Sequence, residues 1–108
     1  MKKKILFVCL SGVNRSRTLA DYVNHSHNKQ YEARYGGIQK SIFYGKTISG
    51  DVVKWADKIY VMEQQQAKFI KEHYPDDYKK VTILHIPDVY DYGDITIVKK
   101  ARQFIPWL

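Results

Sequence analysis

Hydrophobic and polar residues follow one another along this chain in blocks that predict strands separated by helices. Short apolar runs, rich in β-branched and aromatic residues, indicate buried strands. Segments with apolar residues three and four positions apart indicate amphipathic helices between them. The runs predict four strands, at residues 5–10, 31–35, 58–62 and 81–84.

Four helices fill the intervals, and their ends carry recognisable signals. The first follows Asn14 and runs to about residue 26; the second is capped by Ser49 and runs to about 56. The third spans 63–74 and is stopped by Pro75, and the last runs from about 95 to just before Pro106. The residues predicted to face inward are Leu19, Tyr22, Val23, Ser26, Ala67, Ile70, Tyr74, Ile95, Val98, Ala101 and Ile105.

This alternation predicts an α/β fold, with a parallel sheet and helices on both faces. The 108 residues are enough for one domain, which we expect to span 1–108. In such sheets ligands bind beyond the carboxyl ends of the strands. Cys9 lies at the end of the first strand, and residues 85–94 follow the fourth. We therefore expect both to lie at the same edge.

The composition is that of an ordinary globular protein, and the charge favours anionic partners. The net charge is +7, which suits phosphoesters, nucleic acid, acidic proteins or a membrane surface. No apolar run approaches the roughly 20 residues that span a bilayer. The basic residues 1–4 are followed by an apolar run, 5–10, which is too short for a signal peptide. We therefore expect a cytoplasmic protein.

Cys9 is the single cysteine, so neither an intrachain disulfide nor a cysteine-rich metal site can form. A lone buried cysteine is usually a small core residue. Here, however, it begins the segment Cys-Leu-Ser-Gly-Val-Asn-Arg-Ser, which lies between a buried strand and an amphipathic helix. That setting predicts a reactive cysteine.

Each part of this segment has a role in binding a phosphate. Five residues between Cys9 and Arg15 allow the backbone N–H groups to curl inward around an anion, and the following helix adds its positive end. Gly12 permits a left-handed backbone, and Arg15 offers a planar fork to two oxygens. The same surroundings stabilise a thiolate, to which Ser16 can donate a hydrogen bond. The predicted phosphate-binding residues are Leu10, Ser11, Gly12, Val13, Asn14 and Arg15.

The loop of residues 85–94 offers carboxylates and aromatic rings. Displacing an alkoxide or phenoxide requires a proton donor, and three aspartates are available here. Asp94 is predicted to cap the last helix, although a solvated acidic turn is an alternative interpretation of the whole loop. His85 either tunes Asp88 or packs, and we favour packing.

Together these motifs resemble the low-molecular-weight protein tyrosine phosphatases, and more closely their short bacterial and viral relatives. Besides the Cys-to-Ser segment, the chain has an Ile-Pro-Asp-x-Tyr loop before its last helix. The segment Arg-Ser-Arg-Thr-Leu-Ala-Asp after the phosphate loop is similar to the family's Arg-Ser-Pro-x-Ala-Glu. Tyr-Gly-Gly at 35–37 takes the place of its Ser-Ala-Gly turn, and Trp-Ala-Asp-Lys-Ile-Tyr-Val-Met at 55–62 resembles its Ala-Asp-x-Ile strand.

The resemblance implies a three-layer α/β/α fold with strand order 2-1-3-4, and a phosphocysteine intermediate without metal or cofactor. It makes Cys9 the nucleophile, Arg15 the phosphate clamp, Ser16 the thiolate donor and Asp88 the general acid. Tyr90, Phe43 and Tyr44 would form an aromatic wall. The chain departs from the family pattern at Gly12, where Asn is usual, and at Arg17 and Val89, where Pro is usual.

Alternative functions remain open at this point. The substrate is expected to be a phosphotyrosine protein, or else a nucleotide or another small phosphoester. A non-catalytic module that binds phosphotyrosine or another anion is a further alternative, which the complete Cys, Arg, Ser and Asp set disfavours. Arsenate reductases need additional cysteines, and no nucleic-acid-binding motif is present.

Overall fold

The computed structural model describes residues 1–39 and 46–108, and these ranges contain four strands and four α-helices. A 3-10 helix, Pro75–Lys80, precedes the last strand and was not predicted. Within the same ranges, no helix is long and apolar enough to cross a membrane. In chain order the elements are β1 (Lys3–Cys9), α1 (Arg15–Ser26), β2 (Tyr31–Gly37), α2 (Gly50–Trp55), β3 (Lys58–Val61), α3 (Gln64–His73), β4 (Val81–Ile83) and α4 (Ile95–Ala101).

The four strands form one parallel sheet in the order β2-β1-β3-β4. The predicted α/β fold and strand order are therefore confirmed. In the central strand β1, Cys9 lies opposite Gly37 of β2, and Val8 lies opposite Val61 of β3. Because the strands are parallel, the loops after β1, β2, β3 and β4 all leave the sheet at one edge.

Two hydrophobic cores cover the two faces of the sheet, which makes the molecule a three-layer sandwich. Alternate residues of β1 point to opposite sides, as the period of a strand requires. Phe7 and Cys9 join the core formed with α1 and α4, whereas Leu6 and Val8 join the core formed with α2 and α3. The strand is buried on both faces, which explains its continuous apolar run.

Most of the predicted inward positions are buried, Tyr22 and Tyr74 are partly buried, and Ile95 and Ser26 are exposed. Ile95 is 52% exposed, and Ile97 is fully buried in its place. The helical period puts Ile97 on the same stripe as Val98 and Ala101, and Ile95 falls outside that stripe. Ser26 is exposed because it is the last residue of α1, where the chain turns towards β2.

The predicted helix caps at Ser49 and Asp94 are confirmed. The side chain of Ser49 accepts a hydrogen bond from the amide of Val52, and that of Asp94 accepts one from Thr96. The last helix ends at Ala101, earlier than predicted, and continues as turns towards Pro106.

Asp77 anchors the 3-10 helix through two lysines. Its side chain is 7% exposed and lies 2.7 Å from Nζ of Lys80 and 2.9 Å from Nζ of Lys54. The hydrogen bond from Lys80 is the main cause that lowers the pKa of the Asp77 carboxyl below 3.8, and the bond from Lys54 adds to it. Folding therefore favours the ionised carboxylate.

We predict that Asp77→Asn lowers the free energy of unfolding at pH 7 by about 1–2 kcal/mol, because the amide loses two charge-assisted hydrogen bonds. The folded-state pKa lies below the unfolded value of 3.8, so this contribution is complete above pH 3.8 and disappears as the pH falls through the folded-state pKa. Urea denaturation between pH 7 and pH 3 measures it. The exposed neighbour Asp76→Asn is the control, and equal losses in both variants would contradict the prediction.

Candidate active site

The loop after β1 is held from outside by the backbone of a neighbouring segment. The carbonyl oxygens of Cys9, Leu10 and Ser11 accept hydrogen bonds from the amides of Ile38, Gln39 and Lys46, at 3.2, 2.9 and 3.3 Å. These bonds fix the outer side of the loop. Of the remaining residues predicted to bind phosphate, Val13 and Asn14 complete the turn into α1, and Asn14 precedes that helix without a side-chain cap bond.

Glycines make this close approach of backbones possible. Gly12 has a φ of 68°, and a Cβ built there would lie 2.4 Å from the carbonyl oxygen of Lys46. A Cβ on Gly37 would lie 2.4 Å from the carbonyl carbon of Ser11. A side chain at position 12 would therefore clash with the backbone of Lys46, which explains why this chain has Gly12 where the family that it resembles usually has Asn.

The thiol of Cys9 lies at the bottom of this loop and faces two donors. The amide of Gly12 donates to Sγ at 3.1 Å, and Oγ of Ser16 lies 3.0 Å from the same sulfur. Cys9 is 3% exposed and Ser16 is fully buried. The predicted pairing of Cys9 with Ser16 is present, and both donors can stabilise a sulfur anion.

Arg15 is buried, and one side of its guanidinium is fully engaged. The side chain is 1% exposed, and Nη1 donates to Oε1 of Glu63 at 2.7 Å and to the carbonyl oxygen of Ile86 at 2.8 Å. Nε has no hydrogen-bond partner among the described residues. The carboxylate of Asp88 lies 3.6 Å from this nitrogen. A buried donor without an acceptor is costly, so this side of the guanidinium is suited to an anion.

The loop after β4 places Asp88 beside Arg15. Asp88 is about half exposed, and Ile86, two residues earlier, is the buried residue that binds Arg15. Asp91 is exposed, and its backbone oxygen accepts a bond from the amide of Asp94 at 3.2 Å. Of the three aspartates, the structure brings Asp88 to the arginine, whereas Asp94 caps a helix.

The aromatic residues proposed as a substrate wall are only partly described. Tyr90 is half-buried and packs against the core formed with α1 and α4. Phe43 and Tyr44 lie outside the described residues. His85 has a φ of 57° and its ring lies 5.6 Å from that of Phe104, which agrees with the packing interpretation.

Glu63 belongs to the site and was missed by the sequence analysis. It is the N-cap of α3, where its backbone amide donates to Oε1 of Gln66 at 2.6 Å, and its carboxylate pairs with Arg15. The signal was available in the sequence, because Glu63 directly follows the predicted strand 58–62 and so had to lie at the same sheet edge as Cys9.

Comparison with solved structures shows close agreement of this architecture with several phosphatases. The tyrosine phosphatase AmsI of Erwinia amylovora superposes with a TM-score of 0.78 at 15% identity, covering 100% of this chain and 94% of its own. Wzb of Vibrio vulnificus, solved with benzylphosphonate, gives 0.77 at 16% identity and covers 100% of both chains. The YwlE arginine phosphatase of Geobacillus stearothermophilus gives 0.68 at 19% identity, covering 95% and 85%.

The chain has the fold of the low-molecular-weight protein tyrosine phosphatases. No protein-family model matches the sequence, and no curated protein matches it. At these identities the likeness concerns the fold. In this low-molecular-weight phosphatase fold, the loop after β1 and the loop after β4 meet at the sheet edge, as Cys9 and Asp88 do here through Arg15.

We predict that Gly37→Ala displaces the loop that holds Cys9, because the added methyl would lie within 2.6 Å of three backbone atoms of residues 10–12. The variant should bind inorganic phosphate or vanadate at least about tenfold more weakly, since a shift of about 1 Å can cost 10²-fold in a positioned site. Isothermal titration with vanadate measures this loss.

Gly50→Ala is the matched control. Its added methyl meets only a ring carbon of Tyr74 at 3.6 Å, an ordinary contact. If both glycine variants bound vanadate as the unchanged protein does, the close backbone contact at Gly37 would not be needed for the anion site.

Proposed function

We propose that this chain is a cysteine-dependent phosphomonoester hydrolase and that its substrates are proteins phosphorylated on tyrosine. The observation that carries the proposal is the position of the Cys9 thiol. It receives a hydrogen bond from Gly12 and faces Ser16, in the same loop whose Arg15 keeps a buried Nε without a hydrogen-bond partner among residues 1–39 and 46–108. Nucleophile, donors and anion clamp are thus contributed by one short segment.

In the first proposed step, the Cys9 thiolate attacks the phosphorus of the bound monoester. A bond forms between Sγ and phosphorus as the bond from phosphorus to the leaving oxygen breaks. Nε and the free Nη of Arg15, with the loop amides, bind the phosphoryl oxygens, whose negative charge they stabilise. Asp88 gives its proton to the leaving oxygen, and the alcohol departs.

In the second proposed step, water hydrolyses the phosphocysteine. The Asp88 carboxylate left by the first step accepts a proton from the attacking water, and the sulfur–phosphorus bond breaks. The thiolate that leaves is stabilised by the hydroxyl of Ser16 and the amide of Gly12, at 3.0 and 3.1 Å in the free protein. Inorganic phosphate is released and the enzyme returns to its starting state.

Glu63 has a supporting role in this scheme. Its carboxylate lies 2.7 Å from Nη1 and neutralises part of the charge that Arg15 carries into the interior. Together with the carbonyl of Ile86, it fixes the plane of the guanidinium, so that Nε faces Asp88. A fixed plane favours the two-point binding of a phosphoryl group that distinguishes arginine from lysine.

Phosphotyrosine is the proposed substrate because Tyr90 flanks the acid and offers an aromatic surface. A nucleotide or another small phosphoester is the competing proposal. A panel of phosphotyrosine peptides, nucleotides and sugar phosphates separates the two, and phosphoarginine belongs in it because one structural neighbour is an arginine phosphatase. We also propose a cytoplasmic location, since a reducing compartment keeps the Cys9 thiol free.

We predict that Cys9→Ser abolishes hydrolysis of aryl phosphates while phosphate binding persists. A serine hydroxyl has almost no ionised form at neutral pH, whereas the loop amides and Arg15 that bind the anion are unchanged. Steady-state kinetics with p-nitrophenyl phosphate and titration with inorganic phosphate measure the two properties. Vanadate should inhibit the unchanged protein, and substantial turnover by the serine variant would refute a covalent mechanism.

We predict that Asp88→Asn slows the hydrolysis of phenyl phosphate far more than that of p-nitrophenyl phosphate. A positioned acid contributes about 10²–10⁴-fold, but only a basic leaving oxygen needs its proton. The ratio of kcat/KM values for the two esters measures this dependence on the leaving group, because kcat/KM contains only the steps up to the departure of the alcohol and the second step is common to both esters.

Asp91→Asn is the matched control, because Asp91 lies on the same exposed loop three residues further on. It should leave the ratio of the two kcat/KM values unchanged. If Asp91 rather than Asp88 controlled the ratio, the assignment of the acid would be wrong.

A further inference from the structure

The loop that carries Asp88 is attached to helix α1 by Tyr92 and its neighbour. The hydroxyl of Tyr92 donates to a carboxylate oxygen of Asp21, and the amide of Gly93 donates to Oγ1 of Thr18 at 2.9 Å. Gly93 has a φ of 86°, which turns its N–H towards the helix. Two adjacent residues of the loop thus bind two residues of one helix.

A third helical residue, Arg17, completes this cluster. Its guanidinium carbon lies 4.7 Å from the centre of the Tyr92 ring, and its Nε lies 3.7 Å from Oδ2 of Asp21. Such a cation above an aromatic ring is attractive. We call Arg17, Thr18, Asp21, Tyr92 and Gly93 the loop clamp. Asp21 lies beside both other helical members, since it follows Thr18 by three residues and Arg17 by four.

The clamp joins the two halves of the proposed catalytic site. Helix α1 begins at Arg15, so Arg17 and Thr18 belong to the first turn after the phosphate loop. Tyr92 follows Asp88 by four residues. A displacement of the loop along α1 would therefore change the distance between Asp88 and a phosphoryl group bound at Arg15.

Polar contacts, more than packing, hold this part of the loop. Val89 and Tyr92 are 73% and 48% exposed. A cleft of about 240 Å³ beside Tyr92 is lined by residues of α1, of this loop and of α4. Apart from the residues next to Gly93 in the chain, no heavy atom of the described residues lies within 4 Å of the position that a Cβ of Gly93 would take. The hydrogen bond to Asp21 also raises the pKa of Tyr92, which keeps its hydroxyl protonated and able to donate.

We propose that Tyr92 is a positioning residue: its hydrogen bond to Asp21, below the guanidinium of Arg17, holds the loop so that Asp88 stays beside Arg15. The loop has one buried anchor before the acid, at Ile86, and the clamp provides the second anchor after it. This inference rests on the proposed function, because it requires Asp88 to act as the general acid.

The test is Tyr92→Phe, which keeps the ring and removes only the hydroxyl. With phenyl phosphate we expect kcat/KM to fall about tenfold, part of the ~10²–10⁴-fold that a positioned acid contributes to the first step. With p-nitrophenyl phosphate, whose leaving group needs no proton, kcat/KM should stay within about twofold; kcat/KM is compared because the second step, which also involves Asp88, is the same for both esters. A merely structural role would slow both esters alike.

Asp21→Ala removes the other side of the same bond and should give the same ester dependence. The double variant should be no worse than either single variant, because both remove one interaction. Tyr78→Phe is the matched control: Tyr78 is also a partly exposed tyrosine near a cation, Lys71 at 5.6 Å, but it lies in the 3-10 helix. It should leave both esters unaffected.

Hydrogen exchange gives a readout that needs no activity. Amides of residues 86–94, Gly93 above all, should exchange faster in Tyr92→Phe than in the unchanged protein. Unchanged exchange, or equal ratios of kcat/KM for the two esters in an active unchanged protein and its Tyr92→Phe variant, would overturn the inference and leave the proposed function intact. If the unchanged protein itself lacked vanadate-sensitive phosphatase activity, the proposed function would fail, and exchange alone would then decide whether Tyr92 holds the loop.

Discussion

The burial of a positive charge at Arg15 is the constraint on which the site depends. Removing an ion from water costs several kcal/mol even after relaxation, so the buried guanidinium requires fixed partners. Glu63 at the start of α3 and the carbonyl of Ile86 after β4 supply them. Three segments that are distant in the sequence must therefore meet at one point. At that point the carboxylate of Asp88 lies 3.6 Å from Nε of the same arginine.

The layers of the fold and the segment from Cys9 to Arg15 could be predicted, because both depend on residues that are close together in the sequence. A seven-residue strand buried on two faces has to read as an apolar run, and the spacing from Cys9 to Arg15 fits a loop that ends at a helix. The cap at Asp94 was equally local. The prediction failed for Ile95, because period counting at the first turn of a helix does not say which of two nearby isoleucines faces inward.

What the sequence did not reveal are contacts between backbones and between distant side chains. A Cβ on Gly37 would lie 2.4 Å from the carbonyl carbon of Ser11, and no pattern in the sequence predicts this contact between backbones. The pairing of Glu63 with Arg15 and of Tyr92 with Asp21 joins residues 48 and 71 positions apart. The phosphatases compared above share this fold at 15 to 19% identity, so the arrangement of strands and helices persists where most side chains differ.

The central place of β1 in the sheet also has a consequence for how the chain folds. β1, α1 and β2 form one β-α-β unit over residues 3–37, and the segment that joins its two strands, 10–30, is shorter than the segment 10–57 between β1 and β3. Pairing of β1 with β3 therefore closes a longer loop and costs more chain entropy. We expect the turn that follows Cys9 to begin to form within this early unit, whereas Arg15 gains its partners Glu63 and Ile86 only when the sheet has grown to β3 and β4. In a nascent chain, the backbone of the proposed phosphate loop would thus take shape before its arginine is fixed.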